Sequence, residues 1–202
     1  MMGGMNPWLT MWTQPRSSIR AILQTNPKYG VLCLASIYAL QGFFYFANYW
    51  SIGFSVPFYA ILIAGIILSP FIGWLWVFFG GWILWFTGKW LEGKAPPVKM
   101  RAVFAWSKLP TSINLLMWFI LLIAHPEYVF ILDAVGPTSI FINFITLVLG
   151  IWSLVLLIQG IREAQSFSTG RAVINMIIAW VVSTIFVFLI FSLLRYLYLL
   201  VA

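Results

Sequence analysis

Few side chains in this sequence could do chemistry, and their spacing excludes most of it. The 202 residues include one histidine, one cysteine and four acids. His125, Cys33 and scattered carboxylates are too few for a four-ligand zinc site. Glu127 and Asp133 could pair for acid–base work only across a loop. No HExxH, GxGxxG, GxSxG or P-loop string occurs. The expectation is a protein with no catalytic residue, no metal site and no cofactor, and not an enzyme. One charged group invites a functional reading, Arg162-Glu163 with Arg171. It reads either as topogenic charge with a salt bridge of about 0–1 kcal/mol, or as a docking surface for a lipid headgroup or a soluble partner. Cys33 alone forms no intrachain disulfide and gives no compartment.

The elements that must carry these residues are apolar helices. Hydrophobic residues make up 63% of the chain and charged ones 7%, against about 25% charged in a soluble domain. No Asp, Glu, Lys or Arg lies between Tyr29 and Gly88, and further uncharged runs follow at Leu109–Pro126, Ala134–Ile161 and Ala172–Leu194. Each approaches or exceeds the ~17–25 residues that span a hydrocarbon core. The pattern predicts an all-α, polytopic transmembrane bundle. The net charge of +7 does not point to nucleic acid, because the basic residues lie at the ends of apolar runs and not on one solvated surface.

The stretch Pro57–Gly88 decides how many crossings there are. As one helix it is about 48 Å long; split at Ser69-Pro70, each piece would be about 22 Å and too short. One helix through Pro70 is the better solution. Five spans result, at about 28–47, 57–87, 110–124, 139–160 and 169–194, within a membrane domain of residues 28–198. This count makes every basic segment cytoplasmic: Arg16, Arg20 and Lys28; Lys89, Lys94, Lys99, Arg101 and Lys108; and Arg162 with Arg171. The N-terminus is then cytoplasmic and the C-terminus external. Asn26-Pro27 is expected to cap the first span. Tyr45, Tyr49, Trp50, Tyr59 and Tyr128 would form an outer aromatic belt, and Trp82, Trp85, Trp90 and Trp106 an inner one.

Residues 1–27 read as a cytoplasmic segment with an interfacial amphipathic helix. Arg16 and Arg20 share one face toward anionic lipid, and Ile19, Ile22 and Leu23 share another. The alternative is a plain topogenic tail. In the second span Gly65, Gly73, Gly80, Gly81 and Gly88 stay within one half of the helix. Gly73, Gly80 and Gly81 read as helix-packing positions, with a glycine-lined conduit as the alternative. The uncharged polar residues Gln41, Asn114, Asn143, Gln159 and Asn175 can bond helices together, and Gln159 is placed to pair with Asn175. No acid falls at mid-membrane depth, which argues against an energy-driven pump.

Ordered strings along the chain resemble the Yip family of Ypt/Rab-interacting-protein-like integral membrane proteins, in its shorter, bacterial-type form. They are Asn6-Pro-Trp-Leu, Pro15-Arg-Ser-Ser-Ile-Arg20, Thr25-Asn-Pro-Lys-Tyr-Gly30, Ala105-Trp-Ser-Lys-Leu-Pro110, Gly150-Ile-Trp-Ser, Glu163-Ala-Gln-Ser-Phe-Ser and Gly170-Arg-Ala172. The resemblance implies five spans and a cytoplasmic N-terminus. In eukaryotic relatives it implies prenylated Rab-type GTPases as partners and a part in early secretory traffic. It supplies no reaction and no catalytic residue. The expected function is a non-enzymatic membrane adaptor or organiser. Its cytoplasmic docking residues would be Arg16, Arg20, Trp106, Pro110, Glu163 and Arg171, facing membrane lipids or protein partners, with a homo-oligomer left open. The rivals are a permease or channel for a small or apolar solute, and lipid handling or bilayer shaping. The location is the cell (inner) membrane in a bacterium or the ER/Golgi in a eukaryote.

Overall fold

The structure, a computed structural model, describes residues 6–132 and 137–201; Asp133 lies outside them. Among the described residues eight α-helices follow one another: α1 (Pro7–Thr10), α2 (Pro15–Thr25), α3 (Val31–Tyr49), α4 (Phe58–Trp90), α5 (Pro97–Ser107), α6 (Ile113–Ala124), α7 (Pro137–Gln165) and α8 (Thr169–Val201). Four of them, α3, α4, α7 and α8, are long and apolar enough to cross a membrane, and α5 with α6 pass the same test as one segment bent by 44°. In lipid every backbone polar group must be satisfied internally, which only helices achieve segment by segment. The outer faces remain apolar: Ile67, Phe71, Trp74, Trp180, Phe188 and Phe191 are all more than half exposed. Water does not tolerate such a surface; hydrocarbon does.

α4 runs unbroken for 33 residues through Pro70, about 50 Å. Proline removes the N–H that would bond the Ile66 carbonyl. The buried Ser69 hydroxyl takes its place, donating to that oxygen at 3.2 Å. α3 and α4 form the most extensive pair. A Cβ at Gly73 would strike the Ala35 carbonyl, and one at Gly65 would meet Leu40 at 2.9 Å. Further along α4, a Cβ at Gly80 would strike the Phe104 ring at 2.5 Å, and one at Gly81 would strike the Arg101 backbone at 2.6 Å. All three predicted packing glycines therefore sit where another helix closes on α4. Gly73 and Gly81 are covered and line no open path.

Two boundaries differ from the sequence reading. Asn26 caps the end of α2 instead of opening a span. Its side chain accepts from the Lys28 N–H at 3.0 Å, and α3 starts only after Gly30, whose φ is +68°. The third apolar segment does not begin at Pro110. Residues 110–124 alone would be about 22 Å, and α5, which packs along α4, passes the test of length and apolarity together with α6. That course removes Arg101 and Lys108 from the basic connection. Arg101 lies over the Phe78 ring at 3.8 Å, and Lys108 stands at the bend. The Lys108 carbonyl freed by the bend accepts from the Thr111 hydroxyl at 2.7 Å.

The apolar stripe of α2 faces the bundle, not open lipid. Ile19, Ile22 and Leu23 are buried in one core cluster with Ala102, Trp106, Leu157 and Ile161. A second cluster at the other end joins Phe44, Trp118 and Phe130. There Asn48 donates to the Val129 and Ile131 carbonyls at 2.9 and 3.2 Å.

Candidate docking face

One end of the bundle gathers α2, the end of α4, the start of α5 and the α7–α8 turn. Each piece is locked by local chemistry. Pro15 at the first turn of α2 presets its φ, and Ser18 donates to Gln14 O at 2.8 Å. α4 and α7 both end in left-handed turns at non-glycine residues, Glu92 (φ +64°) and Ser166 (φ +59°). Gly93 N–H bonds Gly88 O at 2.8 Å, and Phe167 N–H bonds Arg162 O at 3.1 Å. These are paired Schellman closures. They lie back to back, because the Gln165 side chain accepts from the buried Ala95 N–H at 2.9 Å. A Cβ on Gly93 would strike the same Gln165 oxygen.

Glu163 sits on the last turn of α7, beyond the apolar stretch that ends at Ile161. Arg20 binds it two-handed, Nε to Oε1 at 2.5 Å and Nη2 to Oε2 at 3.1 Å. Arg16 adds Nε to Oε2 at 3.2 Å. The Glu163 side chain is 14% exposed, whereas Arg16 and Arg20 are 59% and 50% exposed. The hydrogen bond from Arg20 is the main reason the Glu163 carboxyl is held below the usual carboxylate range. Burial works against this, and Arg16 adds to the lowering. One carboxylate thus neutralises one of two arginines and leaves their outer edges free.

The other expected docking residues separate into two groups. Arg171 remains at the surface, 3.9 Å from an almost fully exposed Glu92, a contact worth little in water. Trp106 and Pro110 are buried. The Trp106 indole N–H donates to Tyr29 O at 3.0 Å, and its ring lies 5.0 Å from Trp8 and 6.1 Å, stacked, from Tyr29. Gly30 abuts this ring, where a Cβ would sit 2.9 Å from it. Trp106 is therefore an internal clasp and belongs neither to an exposed docking surface nor to an aromatic belt. The Gln159–Asn175 pairing is also replaced. Gln159 accepts from Arg162 at 3.1 Å, while Asn175 accepts from Thr87 at 2.8 Å and donates to Leu84 O at 3.4 Å. Gln41 and Asn114 are buried without such bonds.

Sequence reasoning missed Gln165 and Lys108 as special residues. Gln165 could have been flagged as a polar side chain closing an apolar helix. Lys108 carried a signal too, since Met100–Leu109 is apolar enough to continue into the following span.

Long lipid-compatible helices, a polar end built from their termini and apolar outer faces define a polytopic α-helical membrane protein. The family model described as the Yip1 domain matches residues 9–191. The chain belongs to the Yip family. No curated protein and no solved structure matches it.

Proposed function

We propose that this protein is a non-enzymatic membrane adaptor or organiser, with its basic end in the cytoplasm and five crossings, α5–α6 being the third. The observation that carries this reading is the distribution of charge. Arg16, Arg20, Lys28, Lys89, Lys94, Lys99, Arg162 and Arg171 gather at one end, with Glu92 and Glu163 as the acids beside them. At the opposite end Arg195 is the only Lys or Arg among the described residues. This is the asymmetry of the positive-inside rule. A compact basic face of this kind suits anionic headgroups of the facing leaflet and acidic surfaces of soluble partners. Rab-type GTPases are the partner class in a eukaryotic setting.

Two measurements test it. With Cys33→Ser as background, Tyr128→Cys should react with a membrane-impermeant maleimide in intact cells, and Lys94→Cys only after permeabilisation. The reverse pattern overturns the orientation. Photocrosslinkers at Lys94 and Arg171 should capture acidic lipid or a soluble partner, and Arg171→Glu with Lys94→Glu should cut that capture several-fold at constant folded protein. Unchanged capture rejects the docking face.

A further inference from the structure

Lys108 leaves the basic end because α5 climbs beside α4. Phe104 reaches Gly80, and the bend between Ser107 and Pro110 follows one turn later. The Lys108 ammonium lies 5.1 Å from the Tyr38 ring centre and 5.5 Å from that of Phe104. It lines a cavity of about 640 Å³ shared with α8 at Ala179, Ser183 and Thr184, within the ~300–1,000 Å³ of ligand pockets. Ser183 is midway in sequence between Arg171 and Arg195, about 18 Å along the helix from each. On α8 the cavity therefore runs from Met176, about 8 Å beyond Arg171, to the middle of the helix.

The remaining wall is apolar, with Phe79, Leu84, Leu157 and Met176. Ser183 and Thr184 donate to the carbonyls of Ala179 and Trp180 on their own helix and bring no charge. Among the described residues no carboxylate lies within ion-pair distance of Lys108. A cation at that depth is costly unless paired, and such a residue marks a site. Two aromatic faces offset only part of that cost. Trp76 and Trp180, which also line the cavity, are 48% and 72% exposed on the apolar surface, so the mouth opens sideways toward lipid.

We propose that this cavity holds a long-chain fatty acid, with its carboxylate on Lys108 and its chain along the apolar wall. One cation matches one carboxylate. A bulky polar headgroup would find, besides Lys108, only the Tyr38 phenol and two hydroxyls already engaged with their helix. Because lipid tails are as apolar as these walls, the walls contribute fit and the acid group contributes recognition.

The test uses the full chain in phosphatidylcholine nanodiscs with diazirine-bearing palmitic acid and its alcohol analogue, mapping crosslinked peptides. The acid should label α8 around Trp180–Thr184 saturably, and excess palmitate should displace it. Labelling should fall at least tenfold in Lys108→Met and persist in Lys108→Arg. Methionine is apolar and of similar length, so the variant should keep its thermal midpoint. Ser183→Phe, which fills the cavity with Lys108 intact, should lose labelling as well. Equal labelling of α8 by the alcohol, acid labelling indifferent to Lys108→Met or to Ser183→Phe, or capture at the basic end alone would overturn the proposal.

Discussion

Arg20 reaches across 143 positions of sequence to hold both oxygens of Glu163, and this contact ties α2 to the last turn of α7. Neither residue lies in one of the uncharged apolar runs. Their pairing lets a short helix with only one apolar stripe close the basic end of the bundle. Glu163→Gln keeps the shape and removes the charge. We expect it to raise the opening of α2 only a few-fold, because the arginines of the pair are exposed. Hydrogen exchange of residues 15–25 in detergent reads this directly. Unchanged protection would mean that Ile19, Ile22 and Leu23 alone hold the helix.

The same contact sets a pH response. The folded carboxyl of Glu163 titrates below its ordinary range, so its stabilisation is fully present above the unfolded value of about 4.3 and is lost as pH falls through the lower, folded value. Spin labels at Gln24 and Gly170, both exposed, should keep one distance from pH 8 to about pH 4.5. The distribution should broaden at lower pH. Glu163→Gln should broaden it at every pH. A transition near neutrality would assign the response to another group.

Two glycines should respond differently to alanine. Gly73 faces the Ala35 carbonyl with no room for a methyl, whereas a methyl on Gly150 meets nothing within 4 Å. Gly73→Ala should cost about 1–3 kcal/mol, since α3 and α4 must separate. Gly150→Ala should be neutral or raise stability by up to ~1 kcal/mol through helix propensity. Thermal unfolding in one detergent compares them.

Thr87 and Asn175 join α4 to α8 through a buried hydrogen bond of 2.8 Å. Asn175→Leu should cost about 1–2 kcal/mol, because the Thr87 hydroxyl and the Leu84 carbonyl lose a partner. Thr87→Val should cost less. The double variant should fall short of the sum by roughly 0.6–1.7 kcal/mol, the range for membrane polar pairs. Full additivity in unfolding midpoints would show that the two side chains act independently.

The residues of the family-like strings explain much of what was legible. Asn26–Gly30 turns around Trp106, Glu163 takes Arg16 and Arg20, and Gln165 fastens Ala95. Each of these strings marks a contact between distant parts of the chain. Its type of importance, internal locking or outward docking, required the partner to be seen. Trp106 shows the difference: a tryptophan near a basic loop suits a headgroup belt by sequence, yet it is sealed under Trp8 and Tyr29.

Sequence by itself determined that the chain is helical, that it lives in lipid and which of its ends is basic. Those properties depend on composition and on run length, which are one-dimensional quantities fixed by the thickness of hydrocarbon and by the cost of unsatisfied backbone. Tertiary structure decided that Pro97–Ser107 packs along α4, that Asn175 meets Thr87 and not Gln159, and that Lys108 faces an apolar cavity between helices. Those outcomes depend on which helix closes against which glycine, and no local pattern encodes a neighbour supplied by a distant part of the chain.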